Sequence, residues 1–246
     1  MENPAQLNTI LDEFAKISGP KVMVHGGGNK ASELSRKLGI KPRMVNGRRI
    51  TDGDTLEVIT MVYAGLVNKN LVVKLQSKNV NAIGLSGADG NTIPAIKRPV
   101  KEIDYGFAGD LPDEAPSSHS LKVLLENDMT PVFCALTHDG KGQLLNTNAD
   151  TIASYLAKVL CRTYQVTLVY CLDKPGVLLN PDDPSTIVKL LNPSYYQELI
   201  SKGIIVEGMI PKLDNAFSGL RLGVQEIYLC DWQDITGGSG TKISLS

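Results

Sequence analysis

The sequence predicts an α/β protein, a three-layer αβα sandwich with a mostly parallel central sheet. Short apolar, β-branched runs alternate with segments of helical apolar spacing along the 246 residues, as expected of strands joined by helical crossovers. Glycine-rich turns follow several of the predicted strands. No internal repeat and no linker rich in proline, glycine or serine divides the chain, so a single domain over residues 1–246 is predicted.

The composition gives the chain no bulk charge with which to attract a partner. The net charge is -1, from 25 basic and 26 acidic residues, and the hydrophobic content is 42%. This balance argues against nucleic acid or an acidic membrane as a partner. The four cysteines are widely separated, without metal-binding spacing, and fit buried thiols in a reducing compartment. With no secretory signal pattern and no run near ~18 apolar residues, a cytoplasmic location is predicted.

The chain opens with a predicted helix, a strand, a glycine turn and a second helix. Asn3-Pro4 begins a helix with apolar positions up to Ile17. The strand at 21–24 runs into His25-Gly26-Gly27-Gly28, and a short helix follows to Gly39. Consecutive glycines let backbone N–H groups approach one anion, aided by the dipole of the following helix. The same pattern also fits a tight turn with no ligand.

A hairpin and a long helix come next. Asn46-Gly47, between β-prone residues in 43–51, is a strong hairpin signal and presents arginines on a short ribbon. Asp52 caps a periodic segment that runs to about Lys78. The apolar stripe of this helix fits a core face or a subunit interface.

The remaining elements continue the alternation of strand and helix. A strand at 166–172 ends in a turn at the edge where open α/β sheets bind ligands. Before it, a strand is predicted at 82–85, followed by a glycine-rich loop at 86–91 and a peripheral antiparallel segment, called the antiparallel excursion, that includes 92–96 and 100–103. A helix capped by Ser117 or Ser118, a central strand at 130–136 and a helix after Asn148 are predicted next. After it, they are a helix at 193–202, a helix carrying Lys212, a strand at 227–230, and a mobile loop at 237–243 with a terminal edge strand.

Four motifs follow one another in a specific order. They are His25-Gly26-Gly27-Gly28, Asn46-Gly47-Arg48-Arg49-Ile50-Thr51, Asn146-Thr147-Asn148-Ala149-Asp150 and Gly208-Met209-Ile210-Pro211-Lys212. Over almost the whole chain, this order resembles the acetylglutamate kinases of the amino-acid kinase superfamily. The resemblance implies ATP-dependent phosphorylation of the side-chain carboxylate of N-acetyl-L-glutamate, or of another N-acylglutamate such as N-succinylglutamate, in arginine biosynthesis.

The resemblance also implies roles for single residues. Gly27 and Gly28 would offer backbone N–H groups to the acylglutamate, Arg49 would clamp its α-carboxylate, and Asn146 would bind its acylamino part. As catalytic residues, Lys212 would stabilise the transferring phosphoryl group and Asp150 would orient active-site lysines. From the residues alone, Arg49 also fits a solvated hairpin charge, and Asp150 fits an acid that stabilises a helix N-terminus.

The same resemblance places the nucleotide in the last third of the chain. The division expected is an acylglutamate-binding lobe at 1–162 and a nucleotide-binding lobe at 163–246. Mg²⁺ would be held mainly by phosphate oxygens and water, without protein metal ligands. The nucleotide-binding residues implied are Asp173, Lys174, Pro175, Gly176, Val177, Leu178, Ile204, Ile205 and Val206.

One departure from the family pattern concerns its first strand, which bears a lysine and two glycines. This sequence starts directly at its first helix, and the expectation is a start codon assigned too far downstream. An alternative is a catalytically impaired homologue that binds nucleotide or acylglutamate and acts through a partner. A dinucleotide-binding oxidoreductase fits less well, because the glycine triplet lacks the G-x-G-x-x-G spacing. The expected assembly is an arginine-insensitive homodimer joined through the long helix.

Overall fold

The computed structural model describes residues 4–45, 47–112, 119–206, 208–236 and 238–246. They form two compact units that divide between Ile152 and Ala153. The glycine-loop unit is Gly19–Ile152, and the discontinuous unit joins residues up to Ser18 with Ala153–Ser246. The helix cap at Asn3, the hairpin residue Asn46 and the caps at Ser117 and Ser118 were predicted at positions outside the described residues.

Helices and strands follow one another along the chain, with strand hairpins interrupting the predicted alternation. The α-helices are α1 (Pro4–Lys16), α2 (Gly28–Lys37), α3 (Gly53–Thr60), α4 (Asn68–Gln76), α5 (His119–Glu126), α6 (Ala149–Leu160), α7 (Pro193–Ser201) and α8 (Ile210–Arg221). The strands are β1 (Met23–His25), β2 (Met44–Val45), β3 (Arg48–Arg49), β4 (Ala82–Leu85), β5 (Ile96–Lys97), β6 (Gly109–Asp110), β7 (Thr130–Cys134), β8 (Leu136–His138), β9 (Leu144–Asn146), β10 (Thr167–Leu172), β11 (Leu190–Leu191), β12 (Glu226–Asp231) and β13 (Thr241–Ile243).

The sheet of the glycine-loop unit is parallel, in the order β1-β7-β4. The prediction of a central strand at 130–136 is confirmed for β7, which is buried along its whole length. Side chains of α2, α3 and the residues after β7 form a core beside it. Because the strands are parallel, their carboxyl ends share one edge, and β1 delivers His25 and the glycines to that edge.

The predicted long helix is present and contains an irregular segment. Asp52 caps α3 by accepting a hydrogen bond from the Thr55 backbone N–H (3.0 Å). Between α3 and α4, residues Met61–Val67 form a π-helix. By length and hydropathy alone Gly53–Gln76 could cross a membrane, but Val58, Ile59 and Val62 are buried in the core of this unit.

The antiparallel excursion is confirmed only for β5 and β6. The strand expected at 100–103 is wrong: the Arg98 N–H bonds the Ala108 carbonyl, and the chain then leaves the ladder. Pro99 has no N–H with which to extend the pairing, and Val100 is exposed.

The discontinuous unit contains a four-stranded sheet in the order β10-β12-β13-β11. Neighbours are parallel except β12 and β13, which are antiparallel. The prediction of a terminal edge strand is therefore wrong, because β13 lies inside the sheet. The edge is β11, whose two residues are too few to give a strand pattern in the sequence. Both sheets are mostly parallel, which confirms the predicted α/β class.

Candidate functional site

The glycine loop connects β1 to α2 and lies against neighbouring side chains. A Cβ added at Gly27 would come within 2.8 Å of Cδ1 of Tyr63, so only glycine fits without a shift. A Cβ at Gly28 would lie 3.8 Å from Nη2 of Arg49. The loop thus runs directly beside a tyrosine of the π segment and an arginine of the hairpin.

Arg49 is buried at this loop, with only 8% of its surface exposed. Its Nη2 donates to the Gly28 carbonyl oxygen and to Ser32 Oγ, each at 2.8 Å. Its Nη1 is buried and has no hydrogen-bond partner among the described residues. The interpretation of Arg49 as a solvated hairpin charge does not fit this burial, whereas the adjacent Arg48 is exposed. The guanidinium keeps donor capacity for an anion.

Asn146 is linked to the same hairpin. Its Nδ2 donates to Thr51 Oγ1 (3.0 Å), and Thr51 Oγ1 donates to the Arg49 carbonyl oxygen (3.3 Å). Its backbone N–H is fixed by the carbonyl of Phe107 at 2.8 Å. The structure therefore brings Gly27, Gly28, Arg49 and Asn146 together in one unit.

Asp150 lies in the first turn of α6. Asn148 caps this helix through Oδ1, which accepts from the backbone N–H groups of Asp150 (2.7 Å) and Thr151 (3.3 Å). A Cβ added at Gly26 would be 4.0 Å from the Cβ of Ala149. The N-terminus of α6, with its positive dipole end, is thus beside the glycine loop.

His25 closes the loop from the strand side. Asn68 Nδ2 can only donate, so His25 Nε2 accepts from it (3.0 Å) and Nδ1–H donates to the Gly26 carbonyl (2.7 Å). Asn68 Nδ2 also donates to the Val132 carbonyl at 2.8 Å. Burial lowers the pKa of His25 below its ordinary value. A neutral imidazole therefore holds the start of the loop.

In the discontinuous unit, Lys212 lies in the first turn of α8. Its Nζ is 4.7 Å from the centroid of the Tyr170 ring on β10, a cation–π distance. Although Cys171 is exposed as a residue, partial burial of its sulfur raises the pKa of the thiol to about 11; Asp231 and Asp173 act in the same direction, and Lys212 acts in the opposite one. Lys212 and Asp173 thus act on the same end of β10.

The segment after β10 is held by β13. A Cβ at Gly176 would lie 2.4 Å from Thr241 Oγ1, and this hydroxyl oxygen accepts from the Val177 backbone N–H at 2.9 Å. Val177 and Leu178 are buried, while Asp173 is exposed. Lys174 donates to the Pro181 carbonyl at 2.8 Å. The predicted nucleotide segment is a firmly packed turn at a carboxyl edge.

Residues 204–206 form the connection from α7 to α8. Ile204 and Ile205 donate backbone hydrogen bonds to the Leu199 carbonyl, at 3.0 and 3.3 Å. Ile205 is buried and Val206 is exposed. The Val206 carbonyl accepts from Met209 at 2.9 Å, which sets the start of the helix that carries Lys212.

Three residues around these groups were not identified as site residues from the sequence. Tyr63 was taken as part of an apolar stripe, Asn68 as a helix position, and Tyr170 as a strand residue. The π segment and the cross-strand packing that place them leave no signal in the periodicity of the sequence.

The chain is similar to known proteins over almost its whole length. The sequence model of the amino acid kinase family matches residues 1–231. An acetylglutamate kinase of Phocaeicola vulgatus is 51% identical over 99% of this chain and 94% of its own length. One of Bacteroides fragilis is 50% identical over 99% of this chain and 92% of its own.

A solved structure with the same fold is smu.665 from Streptococcus mutans. It has a TM-score of 0.80 and 26% identity, over 99% of this chain and 93% of that one. Fold, motif order and sequence identity agree, and the chain belongs to the amino acid kinase family and, within it, to the acetylglutamate kinases.

Proposed function

We propose that this protein transfers the γ-phosphoryl group of ATP to the side-chain carboxylate of N-acetyl-L-glutamate, as in arginine biosynthesis. The observation that carries the proposal is Arg49, a buried guanidinium beside Gly28 whose Nη1 has no partner among the described residues. A buried cation is costly unless it is paired, and the α-carboxylate of an acylglutamate would supply the pairing. The names of the similar enzymes from Phocaeicola vulgatus and Bacteroides fragilis support this substrate.

In this proposal the glycine-loop unit binds the acylglutamate. Gly27 and Gly28 offer backbone N–H groups at the start of α2, Arg49 holds the α-carboxylate, and Asn146 bonds the acylamino group through donor and acceptor atoms of its amide. The chain of hydrogen bonds from Asn146 through Thr51 to the Arg49 carbonyl supports a shared site.

Both reactants are anions, so positioning and positive charge dominate the chemistry. Lys212 would stabilise the charge that develops on the transferring phosphoryl group. Its place in the first turn of α8 gives it a rigid support. Asp150 would orient active-site lysines from the first turn of α6.

ATP would bind the discontinuous unit, at the carboxyl end of β10 and the start of α8. Mg²⁺ would enter with the nucleotide, held mainly by phosphate oxygens and water. Among the described residues no group of three or more His, Cys, Asp or Glu side chains could hold an ion. The proposed nucleotide-binding residues are Asp173, Lys174, Pro175, Gly176, Val177, Leu178, Ile204, Ile205 and Val206.

The test is an assay of the purified chain with MgATP and N-acetylglutamate, N-succinylglutamate or glutamate, in which the acyl phosphate is trapped with hydroxylamine. We expect N-acetylglutamate to give the highest kcat/KM. We expect Lys212→Met to lower kcat by about 10²–10³, the range for loss of one preorganised charge-stabilising group, and exposed Lys202→Met to leave it unchanged. If N-succinylglutamate is preferred, the acyl group in the proposal changes from acetyl to succinyl. If none of the three substrates gives an acyl phosphate, the proposal is overturned.

We also propose that the enzyme is a cytoplasmic homodimer joined along the α3–α4 helix. The support is a set of exposed apolar side chains on this helix, with Met61, Leu66 and Val73 about half or more exposed. Several exposed apolar side chains on one helix are typical of a subunit interface.

A further inference from the structure

The π segment at residues 61–67 brings to one side of the helix two side chains that a regular α-helix would point in different directions. The backbone N–H of Asn68 bonds the carbonyl of Tyr63, five residues earlier. In a regular α-helix, residues five apart point about 140° away from each other. The wider turn brings Tyr63 and Asn68 to the same side of the helix, where Tyr63 meets Gly27 and Asn68 meets His25. Segments of this kind are rare and often lie at functional sites.

Tyr63 is buried, with 5% of its surface exposed. Its ring is so close to Gly27 that no side chain fits there. Its hydroxyl lies 3.9 Å from the point where a Cβ of Gly28 would stand, and Arg49 Nη2 lies 3.8 Å from the same point. Burial raises the pKa of Tyr63 and the nearby Arg49 guanidinium lowers it. The phenol ring therefore packs against Gly27, and its hydroxyl lies on the same side of Gly28 as the Arg49 guanidinium.

Asn68 links the helix to β1 and β7. Its amide nitrogen is shared between His25 Nε2 and the Val132 carbonyl. Two fixed points, five residues apart, thus hold the π segment against the strand end and the glycines.

We propose that Tyr63 is a positioning residue, which orients the Arg49 guanidinium and supports Gly27 so that the site accepts the carboxylate of the acylglutamate. The proposal rests on the proposed function. Tyr63 acts through Arg49 and the loop, so its removal weakens the binding of acylglutamate and leaves the nucleotide and the chemical step alone.

The experiment is a double-mutant cycle of Tyr63→Phe and Arg49→Lys, with KM and kcat for both substrates and calorimetric binding of N-acetylglutamate. Tyr63→Phe keeps the ring and loses the hydroxyl. We expect it to raise KM for N-acetylglutamate about tenfold, because the Arg49 guanidinium loses a polar neighbour that orients it, with kcat and KM for ATP within about twofold of wild type. In the Arg49→Lys background the same change should alter KM less than about twofold, since coupled residues are non-additive.

Tyr155→Phe is the matched control, because Tyr155 is also buried and its hydroxyl has no partner among the described residues. We expect it to leave KM unchanged. An equal effect of Tyr63→Phe in both backgrounds, or an effect no larger than that of the control, would overturn the positioning role. Absence of turnover in wild type would overturn the proposed function instead, and the positioning role would still be read from the calorimetric affinities.

Discussion

Arg49 shows how a single residue can indicate a ligand. Moving a guanidinium out of water has a large free-energy cost unless its donors are satisfied. The Gly28 carbonyl and Ser32 Oγ satisfy Nη2, while Nη1 is without a partner among the described residues. The protein therefore keeps an unsatisfied buried donor on a guanidinium that contacts the glycine loop.

Replacing this arginine should affect substrate affinity first. Lysine retains the charge but not the planar pair of donors. We expect Arg49→Lys to raise KM for N-acetylglutamate about 10- to 100-fold, as for loss of one or two charge-assisted bonds, with KM for ATP unchanged. Steady-state kinetics measure this. Arg48→Lys, at the exposed neighbouring position, is the control; equal effects of both changes would argue against the assignment.

Candidate site residues could be named from the sequence wherever a short motif contained them, as for Gly27, Gly28, Arg49 and Asn146. The structure shows Arg49 bonded to Gly28, and Asn146 linked to Arg49 through Thr51. Tyr63 could not be identified in this way, because a tyrosine in an apolar helix stripe has the same pattern whether it packs in a core or beside a ligand. Its role depends on a helix irregularity that has no pattern in the sequence.

At the scale of elements, the buried Asn68 joins the long helix to β1 and β7 by hydrogen bonds, and β4 approaches the same side chain closely. Asn68 bonds His25 and the Val132 carbonyl, and a Cβ at Gly84 would come within 1.8 Å of Asn68 Oδ1. Position 84 therefore requires glycine, because only a residue without a side chain lets β4 come this close to Asn68.

A pair of glycine substitutions tests this close approach. Gly84→Ala should destabilise the fold by roughly 1–3 kcal/mol, the usual cost of overpacking, because Asn68 is held in place. Gly65→Ala, on the same helix but with nothing within 4 Å of its Cβ, should be neutral or stabilise by up to about 1 kcal/mol. Urea unfolding measures both. If Gly84→Ala leaves the free energy of unfolding unchanged, the Asn68 side chain can move away from the added methyl group.

The buried His25 makes stability depend on pH. Its pKa is lowered in the folded state by burial, so near pH 6 the unfolded chain binds more protons than the folded one. The contribution of His25 is complete above the unfolded pKa of about 6.5 and is lost as the pH falls toward the folded value.

We expect the free energy of unfolding to fall between pH 7.5 and 5.5, with up to about 1.4 kcal/mol per pH unit of the slope due to this group. Chemical denaturation of wild type and of His25→Gln across this range measures the difference in slope. Equal slopes would show that His25 titrates normally in the folded protein.

The elements themselves were well predicted where the periodic pattern was long. The extent of the long helix, β7 and α6 followed from many residues that agree with one another. Two-residue strands such as β11 carry no pattern, and without β11 the interior place of β13 could not be deduced. Pairing between distant strands is decided by tertiary packing, which local periodicity does not encode.

For the whole molecule, the exposed apolar residues of the α3–α4 helix lead to a prediction about assembly. We expect wild type to sediment as a dimer, and Met61→Glu with Val73→Glu to sediment as a monomer, because charges in the centre of an interface are costly. Leu222→Glu, at an exposed position of the discontinuous unit, should remain dimeric. A hexameric wild type, or a dimer insensitive to both helix changes, would contradict the interface.

The interior position of β13 also bears on how the chain is made on the ribosome. Residues 19–152 form one uninterrupted stretch and can fold while synthesis continues. In the other unit, α1 emerges before residues 19–152 and cannot pack in its final place until residues 153 onward have been synthesised. Its sheet stays open between β12 and β11 until residues 241–243 emerge. A nascent chain stalled before that point exposes an unpaired strand edge, the kind of surface that chaperones protect from aggregation.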